Sequence, residues 1–317
     1  MFEEIISKIE KHDSIVLFGH LNPDGDCYGS QVALRAILKK QFPNKKIYAV
    51  GSGLKKFYSL LGEMDDVSLE TIKASLAVVL DSNDIQRLED QRAGSALDFV
   101  KIDHHVDTLT FKEGPQVVDD KATSTSELVY DLAMEAGYEI PFVAAEALYL
   151  GVYTDTARFQ YAFNYIKMFG MLKHLIELGV IPKTLTAILN TTRWQNVAIK
   201  SFIYKNIQKD EDGILYVVAN NEQRKELGGV TNFDITGNTS LLQHVEGYPI
   251  WFIASETDSH GMQCEMRSNA YNVQKVAMSF GGGGHLYAAG FTIKEFSEEA
   301  VQKLIAALKQ TMKDGKI

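Results

Sequence analysis

The stretch HLNPDGD, residues 20–26, follows the apolar run of residues 14–19 and decides how the first half of the chain folds. The apolar run predicts a buried strand, and Pro23 and Gly25 turn the chain directly after it. Three short side chains that can bind a metal lie in this turn: His20, Asp24 and Asp26. Because the turn is tight, it can direct all three side chains toward one point.

Three other places in the first 155 residues present an Asp or a His directly after an apolar run, which we expect to be a strand. The residues that follow these runs are Asp81, Asp103, His104, His105 and Asp155. Each place alone has an ordinary explanation as a helix cap, a turn or surface histidines. Their joint occurrence favours one shared site, because α/β sheets place active sites at the carboxyl ends of their strands.

The chemistry of these side chains indicates a pair of divalent cations. Two cations about 3.5–4 Å apart need bridging carboxylates, and imidazoles complete the coordination. Oxygen and nitrogen ligands without a thiolate suit Mn²⁺, Mg²⁺ or Co²⁺ better than a structural Zn²⁺. Such a pair can neutralise the charge that develops on a phosphoryl oxygen. The predicted reaction class is hydrolysis of a phosphate ester or anhydride.

A glycine run in the second half of the chain is the other chemical feature. Its members are Gly281, Gly282, Gly283 and Gly284, followed by His285. Four glycines let the backbone approach a ligand closely and turn several N–H groups inward, which suits an anion. A loose loop between a helix and a strand is the alternative interpretation of the run alone.

The composition predicts a large enzyme with two domains. With 317 residues and 45% hydrophobic content, the chain can bury more than one core.

The chain has no apolar run of membrane-spanning length and no signal peptide, so we expect a cytoplasmic protein without a membrane partner. Only Cys27 and Cys264 are present, which excludes a disulfide framework. The net charge of −9 is unfavourable for binding long duplex nucleic acid. A short nucleotide substrate needs only a few basic side chains to bind.

The apolar patterns predict an α/β fold. Strand-like runs over residues 15–18, 46–50, 76–80 and 99–102 alternate with helical segments, which indicates a mainly parallel sheet. Helical periodicity follows over residues 125–137, 143–153 and 168–178. Further on we expect a hairpin at residues 207–219, strands at 250–255 and 262–267, and helices at 239–245, 272–280 and 297–312.

This pattern divides the chain into a metal-binding domain, residues 1–182, a helical connector, residues 183–206, and a smaller α/β substrate-binding domain, residues 207–317. The connector region is basic and contains no acidic residue. Its basic residues are Lys183, Arg193, Lys200 and Lys205, and Lys209 follows shortly after it. Two interpretations stay open: a solvated connector, or a lining of the cleft between the domains.

Four segments resemble the motifs of the DHH phosphoesterase superfamily in their usual order. They are HLNPDGDCYGS (20–30), VVLDSND (78–84), KIDHHVD (101–107) and GVYTDTARF (151–159). EMRSN (265–269) and SFGGGGHLYAAGF (279–291) resemble the DHH-associated substrate-binding domain. The resemblance spans nearly the whole chain and is closest to the stand-alone, NrnA-type oligoribonucleases and pAp phosphatases.

The resemblance implies two bound metal ions, most simply Mn²⁺, with Asp81 between them. One ion would be held by His20, Asp24 and Asp81, and the other by Asp26, Asp81, His104 and Asp155. His105 would then contact the scissile phosphate or protonate the leaving oxygen. Asp103 would orient an imidazole through its ring N–H.

The resemblance also implies substrate contacts in the second domain. Arg267 would bind a substrate phosphate, with Ser268 and Asn269 as neighbouring polar contacts, and the glycine run with His285 would bind a phosphate. Arg158 could reach the same substrate from the first domain, or form a surface salt bridge. Leu286 and Tyr287 depart from the family pattern, so the base preference can differ.

The implied function is metal-dependent hydrolysis of short oligoribonucleotides and linear dinucleotides, pApA or pGpG, to mononucleotides, with pAp as a further substrate. The alternatives are a phosphodiesterase for the cyclic dinucleotide c-di-AMP, an inorganic pyrophosphatase and a nucleotide-sensing module. A pyrophosphatase would not need the EMRSN and GGGGH segments, and a sensing module would be expected to lose metal ligands. The sequence leaves the oligomeric state open, with a homodimer as one candidate.

Overall fold

The chain folds as two compact units in the computed structural model, which describes residues 1–105 and 114–316. Unit 1 is Met1–Thr191 and unit 2 is Thr192–Ile317. The division falls within the predicted connector, residues 183–206. Val106 and Asp107, the last two residues of the KIDHHVD segment, lie outside the described residues.

A parallel sheet forms the centre of unit 1. Its strands are β1 (Ser14–Phe18), β2 (Lys46–Ala49), β3 (Leu76–Leu80), β4 (Asp98–Asp103) and β5 (Gln116–Val118). They lie in the order β2-β1-β3-β4-β5, and every neighbouring pair is parallel. The strands are rich in buried valine, isoleucine and leucine, as expected for a sheet that is covered on both faces. The predicted mainly parallel sheet is confirmed.

Helices cover both faces of this sheet. They are α1 (Glu3–Lys11), α2 (Gly25–Gln41), α3 (Tyr58–Leu61), α4 (Leu69–Lys73), α5 (Thr125–Ala136), α6 (Phe142–Asp155), α7 (Tyr165–Glu177) and α8 (Pro182–Asn190). Alternate residues of each strand enter different cores. Leu17 and Val78 pack with α2, α5 and α6, whereas Phe18 and Val79 belong to a smaller core on the other face.

The apolar run before Asp155 is helical, so the expectation of a strand at this place is wrong. Residues 148–154 form the end of α6, in agreement with the helical periodicity predicted over residues 143–153. The run is buried on almost all sides because α6 lies against both α2 and α5. A short, fully buried apolar run has the same appearance in a helix and in a strand.

Unit 2 contains a mixed sheet. Its elements are α9 (Trp194–Lys205), β6 (Gln208–Lys209), β7 (Ile214–Ala219), α10 (Asn221–Glu226), α11 (Asn232–Thr236), β8 (Ile250–Glu256), β9 (Met262–Ser268), α12 (Val273–Ser279), β10 (Gly283–His285), β11 (Ala288–Ile293) and α13 (Glu298–Asp314). The order is β10-β11-β9-β8-β7-β6, with β7 and β8 parallel and the other pairs antiparallel. The second α/β sheet is therefore also present.

Two segments differ from the sequence-based expectations. The helix expected over residues 239–245 is a single 3₁₀ turn, Thr239–Leu242. The connector consists of two helices that belong to different cores: Leu185 of α8 packs in unit 1, and Ile203 of α9 packs in unit 2. Among the described residues, no helix combines the length and the apolarity needed to cross a membrane.

Candidate functional site

Three neighbouring strands of unit 1 bring histidines and an aspartate to one edge of the sheet. His20 follows β1, Asp81 follows β3, and His104 follows β4. The Asp81 carboxylate faces an imidazole with each oxygen: Oδ2 lies 3.5 Å from His20 Nε2, and Oδ1 lies 3.5 Å from His104 Nε2. Asp81 therefore lies between the two histidines, as a carboxylate that bridges two cations must.

His20 is oriented by its own backbone. Its Nδ1 lies 2.9 Å from the carbonyl oxygen of Leu21, which places the ring proton on Nδ1. Nε2 then faces the carboxylates of Asp24, at 3.8 Å, and Asp81. Burial alone would lower the pKa of His20, but its hydrogen bonds with these carboxylates outweigh burial and hold the pKa well above its ordinary value. Nε2 is thus directed at an anionic pocket that suits a cation.

The first turn of α2 supplies two carboxylates. Asp24 caps the helix by accepting hydrogen bonds from the N–H groups of Asp26 and Cys27, both at 3.0 Å. Asp26 itself is buried, and its two oxygens accept from the N–H groups of Thr125, at 2.7 Å, and Ser126, at 2.9 Å. The amino terminus of α5 therefore holds Asp26 in place.

Thr125 and Ser126 were not among the residues that the sequence singled out for the site. The Thr125 hydroxyl also donates to Asp81 Oδ1 at 3.0 Å, so α5 positions two of the carboxylates. A local signal exists, because residues 124–127 read STSE, the pattern that begins many helices. The pattern predicts where a helix starts, but it does not indicate which distant carboxylate that helix will hold.

Asp155, the last residue of α6, completes the cluster. Its Oδ2 lies 3.5 Å from His104 Nε2, which is also 3.9 Å from Asp26 Oδ2. Burial and the neighbouring carboxylate of Asp81 raise the pKa of Asp155 to about 6, even though His104 opposes this shift. Burial and the charges of Asp81 and Asp155 likewise hold the pKa of Asp26 well above its ordinary range. Carboxylates that disfavour each other's charge in this way are suited to share a cation.

The donor atoms fit a divalent metal. In the part of the chain that the structure describes, three sets have ligand atoms within 4.8 Å of one another: His20 with Cys27 and Asp81, Asp81 with His104 and His105, and Asp26 with His104 and Asp155. Burial raises the pKa of the Cys27 thiol to about 12, and its Sγ accepts a hydrogen bond from the N–H of His20, so Cys27 does not supply a thiolate. The remaining donors are carboxylates and imidazoles, which suit hard or borderline divalent ions.

His105 is held by Asp103. Asp103 Oδ1 accepts hydrogen bonds from His105 Nδ1, at 2.8 Å, and from the N–H of His105, at 3.2 Å. Burial would raise the pKa of Asp103, but these hydrogen bonds outweigh burial and lower it. Asp103 is therefore an ionised acceptor that keeps a proton on Nδ1 of His105.

In unit 2, Arg267 and His285 extend from one face of the sheet. Arg267 of β9 lies directly opposite Ala288 of β11, which in turn lies opposite His285 of β10. Residues that pair across antiparallel strands share a face, so the Arg267 and His285 side chains are separated by one small residue. Arg267 Nη1 donates to Glu265 Oε2 at 3.1 Å and to the carbonyl oxygen of Met266 at 2.8 Å. Among the described residues, its Nε and Nη2 make no hydrogen bond, so they are available for a phosphate.

The glycine run is structured instead of forming a loose loop. The N–H groups of Gly281 and Gly282 donate to the carbonyl oxygens of Met278 and Ala277 at the end of α12, so neither is available to an anion. Gly283 and Gly284 lie in the edge strand β10, where a Cβ on Gly284 would approach the carbonyl oxygen of Ala288 to 2.6 Å. The first two glycines therefore terminate the helix and Gly284 allows close strand pairing, whereas a Cβ on Gly283 would meet nothing within 4 Å.

The remaining predicted contacts have different surroundings. The Ser268 hydroxyl accepts hydrogen bonds from the N–H groups of Ala270 and Tyr271, so it stabilises a turn. The neighbouring Asn269 is exposed. In unit 1, Arg158 is exposed, and its side chain forms no ion pair within residues 1–105 and 114–316. Its backbone is left-handed, with φ 67°.

Sequence comparisons match both units to known domains. Residues 14–152 match the DHH family, N-terminal domain, and residues 191–314 match the DHHA1 domain. The bifunctional oligoribonuclease and PAP phosphatase NrnA of Mycoplasma pneumoniae is 32% identical over 299 residues, covering 92% of this chain and 91% of that protein. The Bacillus subtilis protein of the same name is 30% identical and covers 99% of each chain.

A structural comparison agrees with these matches. The crystal structure of an exopolyphosphatase-related protein from Bacteroides fragilis superposes with a TM-score of 0.85 at 23% identity, over 98% of this chain and 95% of that one. This likeness shows that the fold is shared. Together with the relatives that match over nearly their whole length, it confirms the resemblance found in the motifs: the chain belongs to the DHH family and carries a DHHA1 domain after its DHH domain.

Proposed function

We propose that this protein is a metal-dependent phosphoric ester hydrolase that cleaves short oligoribonucleotides and linear dinucleotides, such as pApA and pGpG, to mononucleotides and converts pAp to AMP. The position of Asp81 between His20 and His104 carries this proposal, because a shared carboxylate is what a two-metal hydrolase requires. The names of the full-length relatives give the same two activities for those proteins.

The ligand sets follow from the cluster. His20, Asp24 and Asp81 would hold one divalent ion, and Asp26, Asp81, His104 and Asp155 would hold the second, with Mn²⁺ as the natural choice and Mg²⁺ or Co²⁺ as alternatives. When bound, the ions would supply positive charge to the phosphoryl oxygens and acidify the attacking water.

The residues of the chain supply orientation and proton transfer. Asp103 holds a proton on Nδ1 of His105 and stabilises the protonated ring, whose Nε2–H can then be donated to the leaving oxygen. Arg267 Nε and Nη2 make no hydrogen bond within the described residues, and Arg267 would bind a second phosphate of the substrate, assisted by His285 on the same face. Arg158 is a further exposed cation that can contact substrate.

Product analysis tests this function. The full-length protein would be incubated with Mn²⁺ and a panel of pAp, pApA, pGpG, a five-nucleotide RNA, c-di-AMP and pyrophosphate. We expect mononucleotides from the linear compounds and AMP from pAp, with loss of all products after chelation. Asp81→Ala protein serves as the control for contaminating nucleases. Turnover confined to pyrophosphate, or confined to c-di-AMP, would replace the proposed function with one of these activities.

A further inference from the structure

A fully buried lysine lies next to the site. Lys101 is the fourth residue of β4, where it pairs with Val79 of β3 on one side and Gln116 of β5 on the other. Its relative exposure is 0%, and strand alternation places it on the same face as Phe99, in the smaller apolar core of unit 1. Lysine is almost never fully buried unless it is paired with a negative charge.

One partner of this lysine is the aspartate that holds His105. Lys101 Nζ lies 3.4 Å from Asp103 Oδ2, and both side chains are fully buried. The other oxygen of the carboxylate, Oδ1, accepts the two hydrogen bonds from His105. Among residues 1–105 and 114–316, Oδ2 accepts no hydrogen bond, and the ion pair with Lys101 is the contact on this side of the carboxylate.

We propose that Lys101 is a positioning residue for hydrolysis, which acts on His105 through Asp103. A carboxylate can rotate about its last side-chain bond and exchange its two oxygens. The ammonium at Oδ2 opposes this rotation and compensates the buried charge, so Oδ1 stays on His105 Nδ1. The ring thereby keeps Nδ1 on Asp103, so Nε2 is the nitrogen that exchanges a proton with the substrate. This inference rests on the proposed function, because it assigns His105 a role in the reaction.

A purely structural role for the ion pair leads to different expectations. If Lys101 only neutralised a buried charge, its replacement would change stability and leave the turnover of folded protein unaffected. If Lys101 acts through Asp103, kcat should fall while KM and metal binding remain, since neither Lys101 nor Asp103 needs to touch the metals or the distal phosphate. Its effect should also disappear once Asp103 can no longer act as a carboxylate.

Three full-length variants separate these cases: Lys101→Met, Asp103→Asn and the double variant Lys101→Met/Asp103→Asn. Removing one partner of a buried ion pair destabilises a protein, whereas the double variant removes both charges. We expect kcat of Lys101→Met to fall about 10- to 100-fold with unchanged KM and metal content, as for other residues that orient a site histidine. We expect the double variant to match Asp103→Asn in kcat, because the two changes interrupt the same chain of contacts.

Two results would overturn the inference. One is wild-type kcat in folded Lys101→Met protein, and the other is a further drop in kcat when Lys101→Met is added to Asp103→Asn. If Lys101→Met does not fold, Lys101→Gln, which also removes the positive charge, takes its place in the same kcat comparison.

The ring tautomer provides a readout that does not need activity. In protein labelled with ¹⁵N-histidine and prepared with Mg²⁺, the ring nitrogens of neutral His105 should report a proton on Nδ1, and Lys101→Met should show a mixture of tautomers. His105→Gln protein assigns the signals. An unchanged tautomer in Lys101→Met contradicts the role of Lys101. Failure of wild-type protein to hydrolyse any of the nucleotides contradicts the proposed function instead, and the two failures are therefore distinguishable.

Discussion

Asp81 occupies a left-handed backbone conformation, φ 58°, that is uncommon for residues other than glycine. Two hydrogen bonds hold Asp81 in this conformation. Its N–H donates to the carbonyl oxygen of Ile102, and its Oδ1 accepts from the Thr125 hydroxyl. Unfavourable backbone geometry of this kind persists where several contacts hold a residue in place, and it is frequent at functional sites. At the scale of single residues, the site thus depends most on Asp81.

Replacement of Asp81 tests the shared-carboxylate arrangement. Two-metal sites contribute several kcal/mol to transition-state stabilisation, so Asp81→Ala should lower kcat by about 10³-fold or more. The protein should remain folded but bind less Mn²⁺, measured by elemental analysis after gel filtration. Asp84→Ala is the matched control, because Asp84 caps the next turn and does not face the histidines. Near wild-type turnover of Asp81→Ala with Mn²⁺ would exclude the two-metal assignment.

Replacement of Arg267 separates substrate binding from metal binding. A hydrogen bond to a charged group contributes about 1.5–3 kcal/mol, so Arg267→Ala should raise KM for pAp and dinucleotides about 10- to 100-fold. The metal content should not change, because Arg267 lies in unit 2 and the ligand cluster lies in unit 1. Lys294→Ala removes another exposed cation of unit 2 and should have little effect. Equal KM values for both variants would mean that Arg267 does not bind the substrate.

At the scale of elements, the site depends on close packing of α2, α5 and α6. Helix α5 donates its first N–H groups to Asp26 of α2, and α6 carries Asp155 to the same place. Gly151 of α6 makes this packing possible, because a Cβ at this position would lie 1.9 Å from Ser126 Oγ and 2.7 Å from Asp26 Oδ1. The positions of two ligands are therefore linked to the spacing of the helices.

A methyl group at Gly151 should disturb both stability and metal binding. Over-packing of a core costs about 1–3 kcal/mol, so Gly151→Ala should lower the Tm by several degrees and weaken Mn²⁺ binding by displacing Asp26. Gly170→Ala is a matched helical control, because a Cβ at Gly170 of α7 would meet nothing within 4 Å. That variant should be neutral or more stable by up to about 1 kcal/mol. Equal Tm values and metal affinities for the two variants would show that the packing at Gly151 is not needed.

At the scale of the whole molecule, the charge is relevant to substrate length. The net charge of −9 opposes non-specific attraction of a long polyanion, because such binding comes from basic surface and released counterions. The groups that we assign to phosphate binding are few: the metal site, Arg267, His285 and Arg158. Each unit also has its own buried core, so recognition and hydrolysis can be altered separately by substitution.

A ladder of 5′-phosphorylated RNAs tests the preference for short substrates. With only a few phosphate contacts, kcat/KM should be highest for pAp and for RNAs of about two to five nucleotides and should fall for longer strands. Added salt should change the values for the longest RNAs only weakly. A kcat/KM that increases steadily beyond about ten nucleotides would favour an exonuclease that follows a long strand through a basic channel.

Local sequence was sufficient for much of the fold and for the choice of the His and Asp residues that the structure brings together. The runs at residues 15–18 and 76–80 are apolar, and the run at 99–102 is apolar except for Lys101. All three are short and bounded by turn residues, so both the strands and the His or Asp residues that follow them could be predicted. The parallel arrangement then follows from the alternation with helices. The motif segments added the DHH family, which the comparisons confirm.

Only the tertiary structure showed how these residues are held. The hydrogen bonds from Thr125 and Ser126 to Asp26 join residues about a hundred positions apart in the chain, and no local pattern specifies such a contact. The pairing of Lys101 with Asp103, the helical form of residues 148–154 and the use of the Gly281 and Gly282 N–H groups by α12 depend in the same way on what packs nearby. The sequence by itself thus determined the chemical groups and the strands that carry them. Burial and long-range hydrogen bonds, which depend on the packed chain, determined their orientation.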